Sequence, residues 1–115
     1  MMIHFFDVVV TDKTKIRFTI FRAENLSPAD KSGTSDPFCK ILIDGKEKGK
    51  TSYIDRTLNP SWNECFTTRY PRNGVEFKVY DHDTFGQDDF LGSVSLTTDE
   101  ILEILNSSVR SFAYL

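Results

Sequence analysis

The segment from Lys15 to Phe21 alternates apolar and polar side chains: Ile16, Phe18 and Ile20 fall on one face of an extended chain, Arg17 and Thr19 on the other. Val75–Tyr80 repeats the pattern, with Val75, Phe77 and Val79 opposite Glu76 and Lys78. Phe38–Ile43 sets Cys39, Ile41 and Ile43 against Phe38, Lys40 and Leu42. A period of two commits each segment to a sheet with one face in a core. Shorter candidates are Ile3–Val10, Lys50–Ile54, Glu64–Thr68, Leu91–Leu96 and Arg110–Leu115. Turn signals separate the strands at Asp44-Gly45, Asn59-Pro60, Asn73-Gly74 and Phe85-Gly86. Eight short strands at regular spacing predict an all-β fold, an eight-stranded antiparallel Greek-key sandwich. One short helix is expected near the C-terminus. Thr97-Thr98-Asp99-Glu100 reads as a capping box, and Ile101, Leu102, Ile104 and Leu105 give an apolar face.

At 115 residues the sequence predicts a single domain over residues 1–115, with a core that needs no staples. Cys39 and Cys65 each sit in a strand-like run, so two reduced, buried thiols are expected, which fits a cytoplasmic setting. The apolar stretch Ile3–Val10 is interrupted by Asp7 and follows no basic segment, so it does not read as a signal peptide. A net charge of −3 argues against a nucleic-acid binder.

That charge is unevenly placed. Asp30 and Asp36 flank a small polar loop, Lys31 to Ser35, and Asp81, Asp83 and Asp89 follow the strand Val75–Tyr80. These are five of the 17 acidic residues, and the remaining twelve face 14 basic ones. Like charges gathered at one pole repel unless a cation sits among them. All-oxygen donors at this density suit Ca²⁺. Asp81 and Asp83, two apart in an extended segment, point the same way, and His82 can offer its backbone carbonyl. Asp89 reaches the same place if the chain turns back at Gly86.

The rival reading is an EF-hand, whose opening matches Asp81-x-Asp83-x-x-Gly86. Phe85 then takes the fifth position and Gly92 the twelfth, where oxygen donors are required, and a strand precedes the loop where a helix should stand. The EF-hand is rejected. An enzyme is not expected either, because no nucleophile–base pair or His-rich metal set appears.

At Ser35-Asp36-Pro37-Phe38, at Thr57-Leu58-Asn59-Pro60-Ser61-Trp62-Asn63-Glu64, and at Asp81-His82-Asp83 followed by Asp88-Asp89-Phe90-Leu91-Gly92, the chain resembles a C2 domain. With Ala23-Glu24-Asn25-Leu26 these motifs cover nearly the whole chain in family order. The run from Asp36-Pro37-Phe38 to Asp44-Gly45, the Leu58-Asn59-Pro60-Ser61-Trp62-Asn63-Glu64 run and the helix before the last strand look most like C2 domains at the N-terminus of HECT-type ubiquitin ligases. An extra strand at the front favours the circular order in which that strand comes first.

The resemblance implies Ca²⁺-dependent binding to anionic phospholipid membranes by loops at one end of a sandwich. Its five aspartate ligands match Asp30, Asp36, Asp81, Asp83 and Asp89, and its main-chain ligands match Ala29 and His82. Gly86 stands where a further side-chain ligand is frequent, so two ions are implied rather than three. The family's phosphoinositide groove matches Lys40, Lys48 and Lys50, with aromatic positions at Phe38 and Tyr80, while Leu42 replaces a usual lysine. Those lysines also read as charges that protect a sheet edge. Phe85, at a loop tip, and Lys31 are the membrane-contact candidates. Trp62 reads as a core anchor. A monomer is expected, recruited to the cytosolic face of a membrane when calcium rises. A protein partner or neighbouring domain is the alternative target.

Overall fold

The computed structural model describes residues 2–10, 14–28, 33–106 and 111–114, with the side chains of all but 4–8 and 111–114. The elements are β1 (Met2–Val10), β2 (Lys15–Glu24), β3 (Pro37–Ile43), β4 (Lys46–Lys50), β5 (Ser61–Arg69), β6 (Gly74–Asp81), β7 (Asp89–Thr97), α1 (Thr98–Leu105) and β8 (Ser111–Tyr114). They form two four-stranded sheets, ordered β5-β2-β1-β8 and β4-β3-β6-β7. The pairings are antiparallel, and β1 lies between β2 and β8. The expected eight-stranded sandwich is therefore present, with the additional strand first.

The period-two faces meet between the sheets. Ile16, Phe18 and Ile20 from β2 pack in one cluster with Cys39, Ile41 and Ile43 from β3 and Val75, Phe77 and Val79 from β6. Phe18 and Phe77 join the layers edge to face, ring centroids 5.8 Å apart. Trp62 is buried, and its Nε1–H donates to the Pro37 carbonyl at 3.1 Å, which ties β5 to β3 as well as filling the core. The capping box forms as read. Thr97 accepts from the Glu100 N–H, the Glu100 carboxylate accepts from the Thr97 N–H, and Ile101 is buried.

Two expectations are corrected. The fourth strand is Lys46–Lys50, not Lys50–Ile54. Asp44 and Gly45 both take positive φ, 51° and 83°, the two-residue hairpin geometry that matches strand twist and starts the return strand at once. Thr51 to Ile54 then runs beside β3 without strand geometry, with Thr51 N–H donating to Cys39 O at 2.8 Å and Ile54 N–H to Pro37 O at 3.0 Å. Both cysteines are free as expected, but only Cys39 is buried. In β5, Trp62, Glu64, Phe66 and Thr68 turn inward, so Cys65 lies on the outer face, its Sγ 3.2 Å from Thr19 Oγ1.

The pole opposite the acidic loops has its own polar staple. The Asp44 carboxylate accepts from the backbone N–H groups of Arg72, Asn73 and Gly74 at 3.1, 2.7 and 3.2 Å, and from the Arg69 guanidinium at 3.3 Å. The bonds from Arg72 and Asn73 lead in lowering its pKa from 3.8 to about 2. A depressed folded-state pKa contributes stability above the unfolded value and loses it as pH falls towards the folded one. Asp44→Asn should thus lower the melting midpoint at pH 7, because the backbone donors favour the charged carboxylate. The gap to wild type should close between pH 4 and pH 2, as thermal melts across that range will show. A gap that persists at pH 2 would mean that the charge is not the source.

Candidate functional site

Three loops meet at the pole formed by the end of β2, the start of β3, the end of β6 and the start of β7. Asp36 precedes Pro37, the first residue of β3, and Asp81 closes β6. Pro37 pairs with Asp81, and Asp81 with Asp89, so three aspartates from three strand ends are brought side by side by register alone. Asp36, Asp81, Asp83 and Asp89 line one open cavity of about 320 Å³, together with His82, Thr84 and Phe85. Asp30, Ala29 and Lys31 lie outside the described residues.

Backbone donors fix the carboxylates. Asp81, buried, accepts from the Asp36 N–H at 2.6 Å. Asp36 Oδ1 accepts from the Arg56 N–H at 2.7 Å. Asp83 Oδ1 accepts from the Phe85 N–H at 2.9 Å, and Asp88 Oδ1 from the Asp83 N–H at 2.9 Å. Asp36, Asp81 and Asp83 each hold a loop through a carboxylate oxygen in this way. Among the described residues, no three His, Cys, Asp or Glu side chains stand close enough to enclose a metal ion. The donor chemistry nonetheless fits calcium: the cavity wall carries carboxylates and no thiol.

Two features of the loops were not visible in the aspartate spacing. Arg56, with φ 46°, brings the loop between β4 and β5 to the site through a backbone N–H, which leaves no side-chain signature. Asp88 organises the β6–β7 loop and sits 3.7 Å from His82 Nδ1. The adjacent Asp88-Asp89 pair was the signal that could have suggested it.

Gly86 plays a different part from the one expected. Its φ is not positive, so the turn does not need glycine's freedom there. A Cβ on Gly86 would lie 2.9 Å from Asp83 Oδ2. The missing side chain makes room for the Asp83 carboxylate. Phe85 beside it is 98% exposed, which places its ring outside the fold.

The basic candidates divide. Lys40 and Lys50 pair across β3 and β4 on the outer face of their sheet. Lys40 Nζ lies 4.8 Å from the Tyr80 ring centroid and 3.3 Å from Glu47, and Lys50 Nζ lies 5.9 Å from the Phe38 centroid. Phe38 stacks on Tyr80 at 5.9 Å. Lys48 does not join them. The ladder shifts register between Ile41 and Leu42, and Lys48 lines a separate cavity with Ile43, Thr67, Thr68 and Arg69.

Comparison with known proteins agrees with this architecture. The chain is 37% identical over 89 residues to human multiple C2 and transmembrane domain-containing protein 1, a match covering 76% of this chain and 9% of that protein. It is 36% identical over 96 residues to synaptotagmin-1 of Aplysia californica, covering 77% of this chain and 22% of that one. The chain thus spans under a quarter of the length of these relatives. A C2 domain of Drosophila RIM superposes with a TM-score of 0.79 over 99% of this chain and 97% of its own, at 18% identity, which speaks for the fold. The calcium-bound pair of C2 domains of extended synaptotagmin 2 gives 0.68 over 83% of this chain and 38% of that one, at 25% identity. The C2 domain family matches residues 14–114, and the chain belongs to that family.

Proposed function

We propose that residues 1–115 act as one C2 module that docks on anionic phospholipid membranes in response to calcium, as a binding domain and not an enzyme. The chain belongs to the C2 family, and the similar C2 pair of extended synaptotagmin 2 is calcium-bound, which supports the calcium part of this reading. The observation that carries the reading for these residues is the shared cavity: four aspartates from strand ends and loops surround one open space, with Phe85 exposed at its rim.

In this reading Asp30, Asp36, Asp81, Asp83 and Asp89, with the carbonyls of Ala29 and His82, hold two Ca²⁺ ions. Calcium bound there supplies open coordination positions for the phosphate and carboxylate oxygens of lipid headgroups. The carboxylates otherwise make this pole repel an anionic leaflet, where each unit charge is worth about 1 kcal/mol. Phe85 enters the interface, and Lys31 contacts headgroups. Lys40 and Lys50, over Tyr80 and Phe38, bind a phosphoinositide headgroup on the outer sheet face. Gly86 offers no side-chain oxygen, which favours two ions over three. The setting is the cytosolic face of a membrane, reached from solution by a monomer.

The test is calorimetric calcium titration together with sedimentation on phosphatidylserine-containing vesicles, comparing wild type with Asp83→Asn. Wild type should take up about two ions and pellet only with calcium and anionic lipid. The variant should lose at least tenfold in calcium affinity, the cost of about 1.4 kcal/mol or more. No uptake by wild type at millimolar calcium would end the reading. Pelleting that ignored both calcium and lipid charge would favour a protein-partner role.

A further inference from the structure

The outer face of the β4-β3-β6-β7 sheet carries an aromatic band directly below the acidic loops. Tyr53 stacks on His82 with ring centroids 4.2 Å apart and planes 14° apart. His82 meets Phe38 edge to face at 6.3 Å, Phe38 stacks on Tyr80, and Tyr80 meets Phe90 edge to face at 5.6 Å. Tyr53 stands beside β3 on the β4 side, and Phe90 pairs with Tyr80 from β7, so the five rings cross the whole sheet. The two ends of the band are open to solvent: Tyr53 is 50% and Phe90 58% exposed. The charges on this face are Lys40, Lys50 and Lys78 against Glu47, Glu76 and, beside His82 at its upper edge, Asp88, with Lys50 set over the Phe38 ring.

The opposite sheet has a different surface. Its outer face shows Thr19 against Cys65 and an Arg22–Glu24 ion pair of 3.2 Å. Among the described residues, the exposed large apolar side chains are Tyr53, Phe85 and Phe90 at this end of one sheet, Val10 at the far end of β1, and Leu102 on α1. Amphipathic rings at the edge of an apolar contact, backed by cations, are the composition that settles at a lipid–water interface.

We infer that the domain docks inclined, with the outer face of the β4-β3-β6-β7 sheet turned to an anionic membrane. Tyr53 and Phe90 then sit in the interface beside Phe85, and the face carrying Cys65 looks away. The band is continuous with the loop pole, Lys50 over Phe38 sets a cation beside it, and the inference rests on the membrane docking proposed above. It adds two contact residues and an orientation. An upright stance on the loop tips would leave Tyr53 and Phe90 in water.

The cysteines make the test direct. Cys39 is buried, and burial raises its thiol pKa far above the ordinary range, so it stays unreactive to a thiol label. An environment-sensitive fluorophore on native Cys65 marks the far face. The same fluorophore is placed by Tyr53→Cys, Phe90→Cys and Phe85→Cys, each with Cys65→Ser. Vesicles of phosphatidylcholine and phosphatidylserine carrying a nitroxide lipid are added with calcium. Quenching of the labels at positions 53, 85 and 90, with that on Cys65 unchanged, supports the inclined stance. Quenching at 85 alone, or equally at 53 and 65, overturns it while leaving calcium-dependent docking intact. No calcium-dependent quenching and no pelleting would overturn both. Unlabelled Tyr53→Ser guards against label artefacts. It should weaken vesicle affinity roughly tenfold, as partial burial of an aromatic ring implies. Its calcium affinity without lipid should equal wild type's, and unchanged vesicle affinity would count against the inference.

Discussion

Asp81→Asn should separate the stability of the domain from its response to calcium. Asp81 is only 7% exposed and stands where register places it between Asp36 and Asp89. Asparagine keeps the oxygen that accepts the Asp36 N–H at 2.6 Å, so the loop retains its tether. The substitution removes one charge from a crowded carboxylate set. Without calcium the variant should melt at or above the wild-type temperature, because like-charge repulsion has been relieved. With calcium the order should reverse. A ligand at about 100 times its dissociation constant stabilises the folded state by roughly 2.7 kcal/mol, on the order of 10 °C for a domain of this size. Wild type should show that shift and Asp81→Asn should show little of it. Melting curves with EDTA and with millimolar calcium give both readings in one experiment. A variant that kept the full calcium shift would remove Asp81 from the ligand set. One that melted far below wild type in EDTA would make it a structural residue instead.

The core was legible because it is written in one-dimensional periodicity. Ile16, Phe18, Ile20 and Val75, Phe77, Val79 reach the interior on the faces that alternation assigns them. The capping box at Thr97 was equally local, a matter of two side chains three residues apart. The fourth strand was not legible in that way. Lys46-Glu47-Lys48-Gly49-Lys50 has no apolar residue to alternate, and the hairpin turn at Asp44-Gly45, not a hydrophobic pattern, sets where it begins. Cys65 was misplaced by a composition rule. Cysteine is usually buried, but Trp62 and Phe66 fix the inward face of β5 and leave the residue between Glu64 and Phe66 outside.

The site divides along the same line. Asp36, Asp81, Asp83 and Asp89 were found from side-chain type and spacing, and the fold brings them to one cavity. What holds them was invisible, because the donors are backbone N–H groups of Arg56, Asp36 and Phe85 supplied by loop conformation. The lysines show the limit of counting along a strand. Lys40 and Lys50 share a face across the ladder, whereas a single register shift sends Lys48 to another. The aromatic band has no linear signature. Tyr53, His82, Phe38, Tyr80 and Phe90 come from separate segments and become neighbours through sheet order.

Phe18→Ala and Phe85→Ala remove the same side chain and should have opposite consequences. Phe18 is fully buried and meets Phe77 across the two sheets with an interplanar angle of 77°. Truncation forfeits the transfer free energy of a whole ring and leaves a cavity that strands on both sides hold open. Phe-to-Ala changes of this kind cost about 3–5 kcal/mol. A domain of this size has only about 5–15 kcal/mol in hand. The melting midpoint should fall by roughly 10–20 °C. The loops are anchored by β3, β6 and β7, so the fraction that remains folded at low temperature should still bind calcium with unchanged affinity. Phe85 contributes nothing to that core, being 98% exposed, and Phe85→Ala should leave the midpoint within the range of ordinary surface substitutions, about ±0.5 kcal/mol. Its loss should appear only on vesicles, as an affinity about tenfold weaker with calcium binding in solution unaltered. Thermal melts, calcium titration and vesicle sedimentation on the two variants decide the matter. A Phe85→Ala protein that lost stability would place the ring under its own loop. A Phe18→Ala protein that melted like wild type would contradict the packing that joins the two sheets.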